Sequence, residues 1–224
     1  NKKISRILKF KSKKIKIIKY NQDIIDKSDW VFLAVTPVVG NKILEQLKFN
    51  KRKLIISFIS TINLTQLKKI TGLKTNIVRA IPLPPIALCK GPVPIYPPNK
   101  KVKKFFDKLG STVEINNEKL SLNFWTTSAM MAPFYEILYF LSDWLVKKGI
   151  KKQNAQKYIS SLFLALSEDA FKHKKNLKKL VKESQTPGGL NEQAVKDLRK
   201  AGFYRLLEKT SNRIIKRLNK SQSN

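Results

Sequence analysis

The chain has 224 residues, 42% of them hydrophobic, which is enough for one large domain or two modest ones. A single cysteine excludes an intrachain disulfide framework, and one cysteine with one histidine argues against a zinc site, so we predict no metal site. The formal net charge is +31, but only seven of the 46 basic residues are Arg and the Lys residues are spread through the whole chain. We therefore expect a solvated basic surface and no specific nucleic-acid partner.

The hydropathy of the sequence does not indicate a targeting segment or a membrane span. No apolar run reaches the roughly 18 to 20 residues that cross a bilayer, so we predict no membrane association. The opening NKKISRILKFKSKK is basic and has no apolar core behind it, which argues against a signal peptide. A lone cysteine fits a reducing compartment. Together these features predict a cytoplasmic protein.

The first half of the chain alternates strands and helices. The predicted strands are 14–19, 30–35, 54–59, 76–80, 93–96 and 112–115, and the predicted helices are 21–27, 38–47, 63–70 and 100–109. This alternation predicts βαβ units and a mainly parallel sheet. Such sheets bind ligands beyond the carboxyl ends of their strands, which directs attention to Thr36-Pro37, Ser60-Thr61 and 81–85.

The second half changes to a helix-only pattern. The predicted helices are 122–148, 151–174, 177–183, 191–201 and 204–219. The first of these is apolar nearly all round, so we expect it to be buried between helices, some of them from a second subunit. The pattern predicts two domains, 1–119 and 120–224.

Three ordered motifs carry a family resemblance. Leu33-Ala-Val-Thr-Pro37, Val78-Arg-Ala-Ile-Pro82 and Ser184-Gln-Thr-Pro-Gly-Gly189 are similar to the Ala-Val-Lys-Pro, Arg-Ala-Met-Pro and Thr-Ser-Pro-Gly-Gly segments of pyrroline-5-carboxylate reductases. Their order, their spacing and the later Gly202-Phe203 also fit. The resemblance extends over essentially all 224 residues.

The resemblance implies an α/β Rossmann-like partial domain with a mainly parallel sheet, followed by an all-α dimerisation and substrate domain. It implies NADP or NAD as cofactor, a small-molecule substrate, and a homodimer or higher homo-oligomer formed through the C-terminal helices. The implied reaction is hydride transfer to the C=N bond of a cyclic imino acid, in proline biosynthesis. The family's G-x-G-x-x-G turn has no counterpart here, so the chain is expected to lack the first βα unit.

The resemblance also assigns residues to roles. Cofactor contacts are expected at Asn1, Ala34, Val35, Thr36, Pro37, Ser60, Thr61 and Pro82. Substrate contacts are expected at Thr186, Gly188, Gly189 and Leu190, with the two glycine N–H groups holding a carboxylate, and Asn191 takes the catalytic position. Plain alternatives stay open: a strand stop, a loop proline, an ordinary turn, and Asn191 as a helix N-cap.

Departures from the family pattern leave the substrate open. Asn191 stands where the family has a Thr thought to protonate or orient the imine, and Leu83 stands where it has Asn. Ala129-Met-Met-Ala-Pro133 replaces a Ser-Gly-Ser-Gly-Pro segment. These changes favour a related substrate or, alternatively, a catalytically divergent or inactive dinucleotide-binding homologue. A β-hydroxy-acid reductase is disfavoured because no Lys lies between Leu120 and Val146.

Overall fold

The computed structural model describes residues 14–72, 74–172 and 176–223. The chain divides into two compact units, Asn1–Trp125 with Leu218–Asn224, and Thr126–Arg217. The boundary at Trp125 lies inside a helix, a few residues after the division that the sequence pattern suggested at 119. Each unit is described below by itself.

A five-stranded sheet forms the centre of the first unit. Its strands are β1 (Trp30–Leu33), β2 (Leu54–Ser57), β3 (Asn76–Ala80), β4 (Pro92–Tyr96) and β5 (Ser111–Glu114), in spatial order β1-β2-β3-β4-β5. Three of the four neighbouring pairs are parallel, and only β3 with β4 is antiparallel. The prediction of a mainly parallel sheet is therefore confirmed.

Five helices flank these strands or follow them. They are α1 (Asn21–Lys27), α2 (Pro37–Glu45), α3 (Leu64–Thr71), α4 (Lys100–Phe106) and α5 (Glu118–Ser128), with a 3-10 helix at Pro84–Leu88. The crossovers through α2 and α3 keep β1, β2 and β3 parallel, because a parallel pair needs a long connection. The carboxyl ends of these three strands therefore lie at one edge of the sheet.

Each face of the sheet covers its own apolar core. Successive side chains of a strand point to opposite faces, so neighbouring residues enter different cores. One core takes Val31, Leu33, Ile55 and Ile77 with Ile25, Leu44 and Leu67 of α1, α2 and α3. The other takes Leu54, Ile56, Val78 and Val93 with Val102 and Phe106 of α4. Burial on both faces explains why β2 is a continuous apolar run.

The predicted strand at 14–19 does not form. Residues 14–20 carry no strand hydrogen bonding, and Ile15 and Ile17 are 40% and 47% exposed. Alternation alone does not make a strand, because a strand needs a paired neighbour and an apolar surface to cover. Predicted strands 30–35 and 54–59 are also shorter, since the chain leaves the sheet after Leu33 and Ser57 to reach α2 and α3.

The second unit is helical. Its helices are α6 (Met131–Lys147), α7 (Lys152–Lys172), α8 (Leu177–Glu183), α9 (Leu190–Lys200) and most of α10 (Phe203–Ser223). Packing of α6 on α7 includes an edge-to-face contact of Phe134 with Phe163, at 6.0 Å between ring centroids. Within the part of the chain that the structure describes, no helix combines the length and the apolar character that a bilayer crossing requires.

The single helix predicted at 122–148 is two helices, α5 and α6. The N–H groups of Ala129 and Met130 donate to the carbonyls of Thr126 and Thr127, which tightens the chain before α6 begins. Pro133, which has no N–H to donate, lies in the first turn of α6, where a backbone donor is not needed. The proline therefore fits a helix start and disfavours a continuous helix.

Within one copy of the chain the apolar helix is largely exposed, and its burial by a second subunit stays a prediction. Ser142 is the buried residue of α6, whereas Phe140 is 68% exposed and Tyr139 is 61% exposed. The other large exposed apolar side chains of α6 and α7 are Phe134, Tyr135, Leu141, Trp144, Val146, Tyr158, Leu162, Leu164, Leu166 and Phe171. One copy of the chain therefore does not cover the apolar surface of its own helical unit.

Candidate functional site

Three loops meet at the carboxyl edge of the parallel strands. Leu33, Ser57 and Arg79 occupy one row across β1, β2 and β3. The chain leaves the sheet just beyond this row in each case, and we call the segments 34–36, 58–63 and 81–83 the strand-end loops. They carry every cofactor contact predicted from the sequence apart from Pro37, which begins α2, and Asn1, which lies outside the described residues.

The first strand-end loop leads directly into a helix. Ala34 and Thr36 are exposed and Val35 is half-buried, and Thr36 occupies the N-cap position of α2 with extended backbone. The Thr36 hydroxyl makes no capping hydrogen bond, and the first turn of α2 contains no acidic residue. The first turn of α2 therefore supplies no carboxylate of its own to the positive end of the helix dipole.

The α2 helix packs closely on the second strand-end loop. A Cβ placed on Gly40 would lie 3.4 Å from Cδ1 of Ile59 and 3.6 Å from Cγ2 of Val35. The Gly40 N–H donates to the Thr36 carbonyl at 3.0 Å. Glycine at this position therefore lets the first turn of α2 approach the loop after β2, which brings the first two strand-end loops together.

The second strand-end loop is held by local hydrogen bonds. Ser57 is fully buried, and its hydroxyl accepts from the Ile59 N–H at 3.3 Å. At the other end, Asn63 caps α3: its side chain accepts from the Gln66 N–H, and the Gln66 side chain accepts from the Asn63 N–H. Ser60 and Thr61, both half-buried, lie between these two anchors.

A buried arginine joins this loop to α5. The Arg79 side chain is completely buried at the last-but-one position of β3. Its Nη1 donates to Oε1 of Glu118 at 2.5 Å, and its Nη2 donates to the Ser60 carbonyl at 3.0 Å. The same Glu118 oxygen accepts from the Leu64 N–H at 2.7 Å. Arg79 and Glu118 therefore hold both ends of the segment Ser60–Leu64, and we call this pair the Arg79 clamp.

An aromatic ring completes the surroundings of Arg79. The guanidinium carbon lies 4.2 Å from the ring centre of Trp125, which is seven residues after Glu118 on the same face of α5. Burial lowers the pKa of the Arg79 guanidinium, and the charge of Glu118 and its hydrogen bond oppose this effect. The group stays protonated at neutral pH because arginine loses its proton only under strongly basic conditions.

Sequence reasoning missed the Arg79 clamp. A motif match drew attention to Val78–Pro82 as a segment, but gave Arg79 no role. The usable signal was the arginine itself, because an ionised side chain inside an apolar strand such as Asn76–Ala80 needs a buried partner. That partner is Glu118, 39 residues away in the chain, and no local sequence pattern links it to Arg79.

The third strand-end loop follows β3. The Ile81 N–H donates to the Pro94 carbonyl of β4 at 3.3 Å, so pairing extends one residue past the strand. Pro82 comes next, is half-buried and precedes a 3-10 helix that starts at Pro84. Predicted cofactor contacts in all three loops therefore lie at one edge of one sheet, as parallel topology requires.

The second group of predicted residues lies in the helical unit, in the segment Ser184–Asn191 between α8 and α9, which we call the 184–191 bend. Gly188 has a φ of +72°, in the left-handed region that glycine tolerates. A Cβ on Gly189 would lie 2.3 Å from Oγ1 of Thr186 and 3.0 Å from its carbonyl oxygen. Both glycines are thus required by the geometry of the bend itself.

The backbone donors of the 184–191 bend already have partners. The Gly188 N–H donates to Oε2 of Glu192 at 2.8 Å, and the Gly189 N–H donates to the Thr186 carbonyl at 2.9 Å. A side-chain hydrogen bond from Lys196 is the main cause that lowers the pKa of Glu192, and the Gly188 N–H adds to the effect. The bend therefore attracts a carboxylate, and in this chain Glu192 supplies one.

The start of α9 differs from the sequence prediction. The helix begins at Leu190 with Gly189 at the N-cap position, so Asn191 does not cap it. Instead the Asn191 side-chain amide donates to the Ser184 carbonyl at 2.9 Å, which fixes its orientation across the bend. Leu190 is 85% exposed and Thr186 is exposed. Among the described residues, no group of three or more His, Cys, Asp or Glu side chains is placed to hold a metal ion.

Fold and site together define a class: a Rossmann-like α/β unit with a ligand-competent carboxyl edge, followed by a helical unit. Comparison with known proteins makes this specific. Residues 119–221 match the family model for pyrroline-5-carboxylate reductase dimerisation, and residues 1–61 match the model for NADP oxidoreductase, coenzyme F420-dependent. These matches indicate similarity to the pyrroline-5-carboxylate reductase family.

Individual proteins show the same similarity. Pyrroline-5-carboxylate reductase of Escherichia coli (strain K12) is 23% identical over 194 residues, which cover 81% of this chain and 71% of the relative. The Streptococcus pyogenes enzyme has a similar structure, with a TM-score of 0.83 and 22% identity over 100% of this chain and 85% of that chain. The Plasmodium falciparum pyrroline carboxylate reductase, solved with NADP bound, gives a TM-score of 0.81 and 21% identity, covering 95% of this chain and 85% of that chain.

Proposed function

We propose that this protein is an NAD(P)H-dependent reductase that transfers hydride to the C=N bond of pyrroline-5-carboxylate or a closely related cyclic imino acid. The observation that carries the proposal is the meeting of the three strand-end loops at the carboxyl edge of β1–β3, in a chain that is similar to pyrroline-5-carboxylate reductases. Ligands of open α/β sheets bind at this edge.

The residues at this edge fit a dinucleotide. The N-terminus of α2 has no side-chain cap and no acidic residue in its first turn. Pro37 has no N–H and the Gly40 N–H donates to the Thr36 carbonyl, so the Val38 and Val39 N–H groups are the ones proposed to donate to the oxygen atoms of a polar ligand. In the proposed complex Thr36 and Val35 line the ribose side, and Ser60, Thr61 and Pro82 shape the nicotinamide pocket. A bound reduced nicotinamide supplies the hydride.

The 184–191 bend is the proposed substrate anchor. The Gly188 N–H already donates to the Glu192 carboxylate, which supports a substrate carboxylate as its partner in the complex. The substrate carboxylate is proposed to displace Glu192, which then keeps its ion pair with Lys196, 2.9 Å away. Asn191, oriented by Ser184, is proposed to donate to the imine side of the substrate and hold it for protonation.

A silent homologue is the second candidate. Occupation of the Gly188 N–H by Glu192 favours it, because a substrate carboxylate must compete with a carboxylate of the chain itself. The replacement of a hydroxyl by the amide of Asn191 points in the same direction. Under this alternative the protein binds the dinucleotide but does not turn over an imine.

One assay separates the two candidates. Full-length protein is mixed with NADPH or NADH and pyrroline-5-carboxylate, and cofactor oxidation is followed by absorbance of the reduced nicotinamide. We expect turnover that depends on both reactants, about tenfold lower kcat/KM for substrate in Asn191→Ala because one hydrogen bond is lost, and retained turnover in Asn191→Thr. Asn154→Ala, an exposed asparagine near the start of α7, is the matched control.

Each result of this assay points to one of the candidate functions. NADPH binding without oxidation identifies the silent homologue, and absence of both binding and oxidation contradicts the proposal. Equal kinetics for Asn191→Ala and Asn154→Ala would remove Asn191 from the site while leaving the reductase assignment in place.

Assembly is part of the proposal. Large apolar side chains are exposed along α6 and α7, and residues 119–221 match a dimerisation model. We propose that a second copy of the chain covers this surface.

A further inference from the structure

We propose that Arg79 and Glu118 are positioning residues that set the conformation of the Ser60–Leu64 segment, and through it the affinity for the nicotinamide cofactor. The consequence for the cofactor rests on the proposed function. The clamp itself rests only on contacts within the first unit.

Arg79 and Glu118 connect the two ends of the Ser60–Leu64 segment. Arg79 donates to the Ser60 carbonyl, Glu118 accepts from the Leu64 N–H, and the two side chains bond to each other. Both ends of a five-residue segment are therefore fixed by one ion pair. Thr61, a proposed nicotinamide contact, lies inside that segment.

The Arg79–Glu118 pair costs desolvation free energy. An ion pair with a fully buried arginine is a poor way to gain stability, because desolvation of the guanidinium offsets much of the Coulomb energy even though the Glu118 side chain is 22% exposed. Nε of Arg79 and Nε1 of Trp125 are also buried and find no hydrogen-bond acceptor among the described residues. A side chain that served only to fill this space would not need these donors.

The Arg79 guanidinium sets the directions of its hydrogen bonds. The guanidinium is planar and rigid, so its two Nη atoms fix the directions toward Ser60 and Glu118 at once. The Trp125 ring lies against the guanidinium, 4.2 Å from its carbon to the ring centre, and limits its movement on that side. Arg79 also immediately precedes Ala80 and the loop with Pro82, so one residue relates the second and third strand-end loops.

The test uses the full-length protein and four variants. Arg79→Met removes the clamp, Arg79→Lys keeps the charge without the fork, and Arg79→Met with Glu118→Gln removes it without leaving a buried unpaired charge. Ile77→Ala, two residues earlier on β3 and 3% exposed, is the control for destabilisation alone. The readouts are amide hydrogen exchange at Leu64 and Ser60–Asn63, NADPH affinity by titration, and the kinetic constants.

We expect Leu64 exchange in Arg79→Met to rise at least tenfold above that of Ile77→Ala under equal global stability. NADPH Kd and its KM should rise about tenfold with a smaller change in kcat, and Arg79→Lys should recover part of the loss. If Arg79→Met does not fold, the double variant gives the same comparison.

Native-like exchange at Leu64 in a folded variant overturns the clamp, and fast exchange with unchanged NADPH affinity overturns its role at the cofactor site. Wild-type protein that binds no NADPH refutes the proposed function and with it the cofactor role. The exchange data still decide whether the clamp exists.

Discussion

Gly189 occupies a crowded backbone position in the 184–191 bend. A methyl group there would meet Oγ1 of Thr186 at 2.3 Å and the Thr186 carbonyl oxygen at 3.0 Å. Gly188 presents the opposite case, since its φ of +72° is unfavourable for other residues but nothing lies within 4 Å of the place that a methyl group would take. A substitution at Gly189 therefore tests steric crowding, and a substitution at Gly188 tests backbone strain.

This separation gives a residue-scale prediction. Gly189→Ala should lower the free energy of unfolding by about 1–3 kcal/mol because the bend must open, and Gly188→Ala by about 1 kcal/mol because of its dihedral angle. Thr186→Ala should relieve part of the cost of Gly189→Ala, because it removes the closest atom. Urea unfolding of the two single variants and of the double variant measures this coupling.

Additive effects of Thr186→Ala and Gly189→Ala would contradict the contact. Gly149→Ala, with a φ of +91° and open space around it, serves as a second control for strain alone.

At the scale of single elements, the hydrogen bonds at the N-terminus of α9 make the stability of the 184–191 bend depend on pH. The Glu192 carboxylate accepts from the Gly188 N–H and pairs with Lys196, one turn later in the same helix. Its pKa is therefore lower in the folded chain than the ordinary value of 4.5. A carboxylate whose pKa falls on folding stabilises the fold when it is ionised.

The sign of the pH effect follows. The contribution of Glu192 is complete above pH 4.5 and is lost as the pH falls through the lower folded pKa. We expect Gly188 amide exchange to rise over this range, beyond the intrinsic change, and Lys196→Gln to move the Glu192 pKa toward its ordinary value. Carboxyl NMR titration measures this pKa.

Lys157→Gln, on α7, is the control for general loss of charge. A Glu192 pKa that responds equally to Lys157→Gln and to Lys196→Gln would show that the local pair is unimportant.

At the scale of the whole molecule, the helical unit exposes an apolar surface that one copy leaves uncovered. Tyr139, Phe140 and Phe171 are more than half exposed on α6 and α7. Aromatic side chains of this size dominate stable interfaces because each buries a large area. We expect sedimentation analysis at micromolar concentration to find no stable monomer.

A charge placed on this surface tests the assignment. Phe140→Glu should shift the mass toward monomer, since a carboxylate at the centre of an apolar interface is costly to desolvate. Lys147→Glu, at the end of the same helix and exposed, is the control. A wild-type monomer, or equal effects of the two substitutions, would count against this surface as the interface.

Much of the fold could be predicted from local pattern. Helices 21–27 and 177–183 and strand 76–80 are found at the predicted bounds, and the carboxyl-edge loops follow from the strand order. These features depend on periodicity and on turn residues, which are read within a few positions of the chain. The strand predicted at 14–19 was wrong because its pattern required a neighbour that the local sequence does not supply.

The candidate site was predicted as segments rather than as interactions. The sequence placed Ser60, Thr61 and Pro82 at strand ends, but it did not indicate that Arg79 would bond to Glu118 or that Glu192 would occupy the Gly188 donor. Whether these contacts form depends on where rigid elements bring distant side chains.

Sequence alone therefore determined the order of strands and helices, the glycine-rich bend and the family motifs, because burial periodicity and backbone preference are properties of neighbouring residues. Tertiary structure alone decided the partners of Arg79, the occupant of the Gly188 donor and the apolar surface left open on α6. A buried charge finds its lowest free energy with whichever acceptor the packing places within hydrogen-bond reach, and that acceptor is set by the fold as a whole.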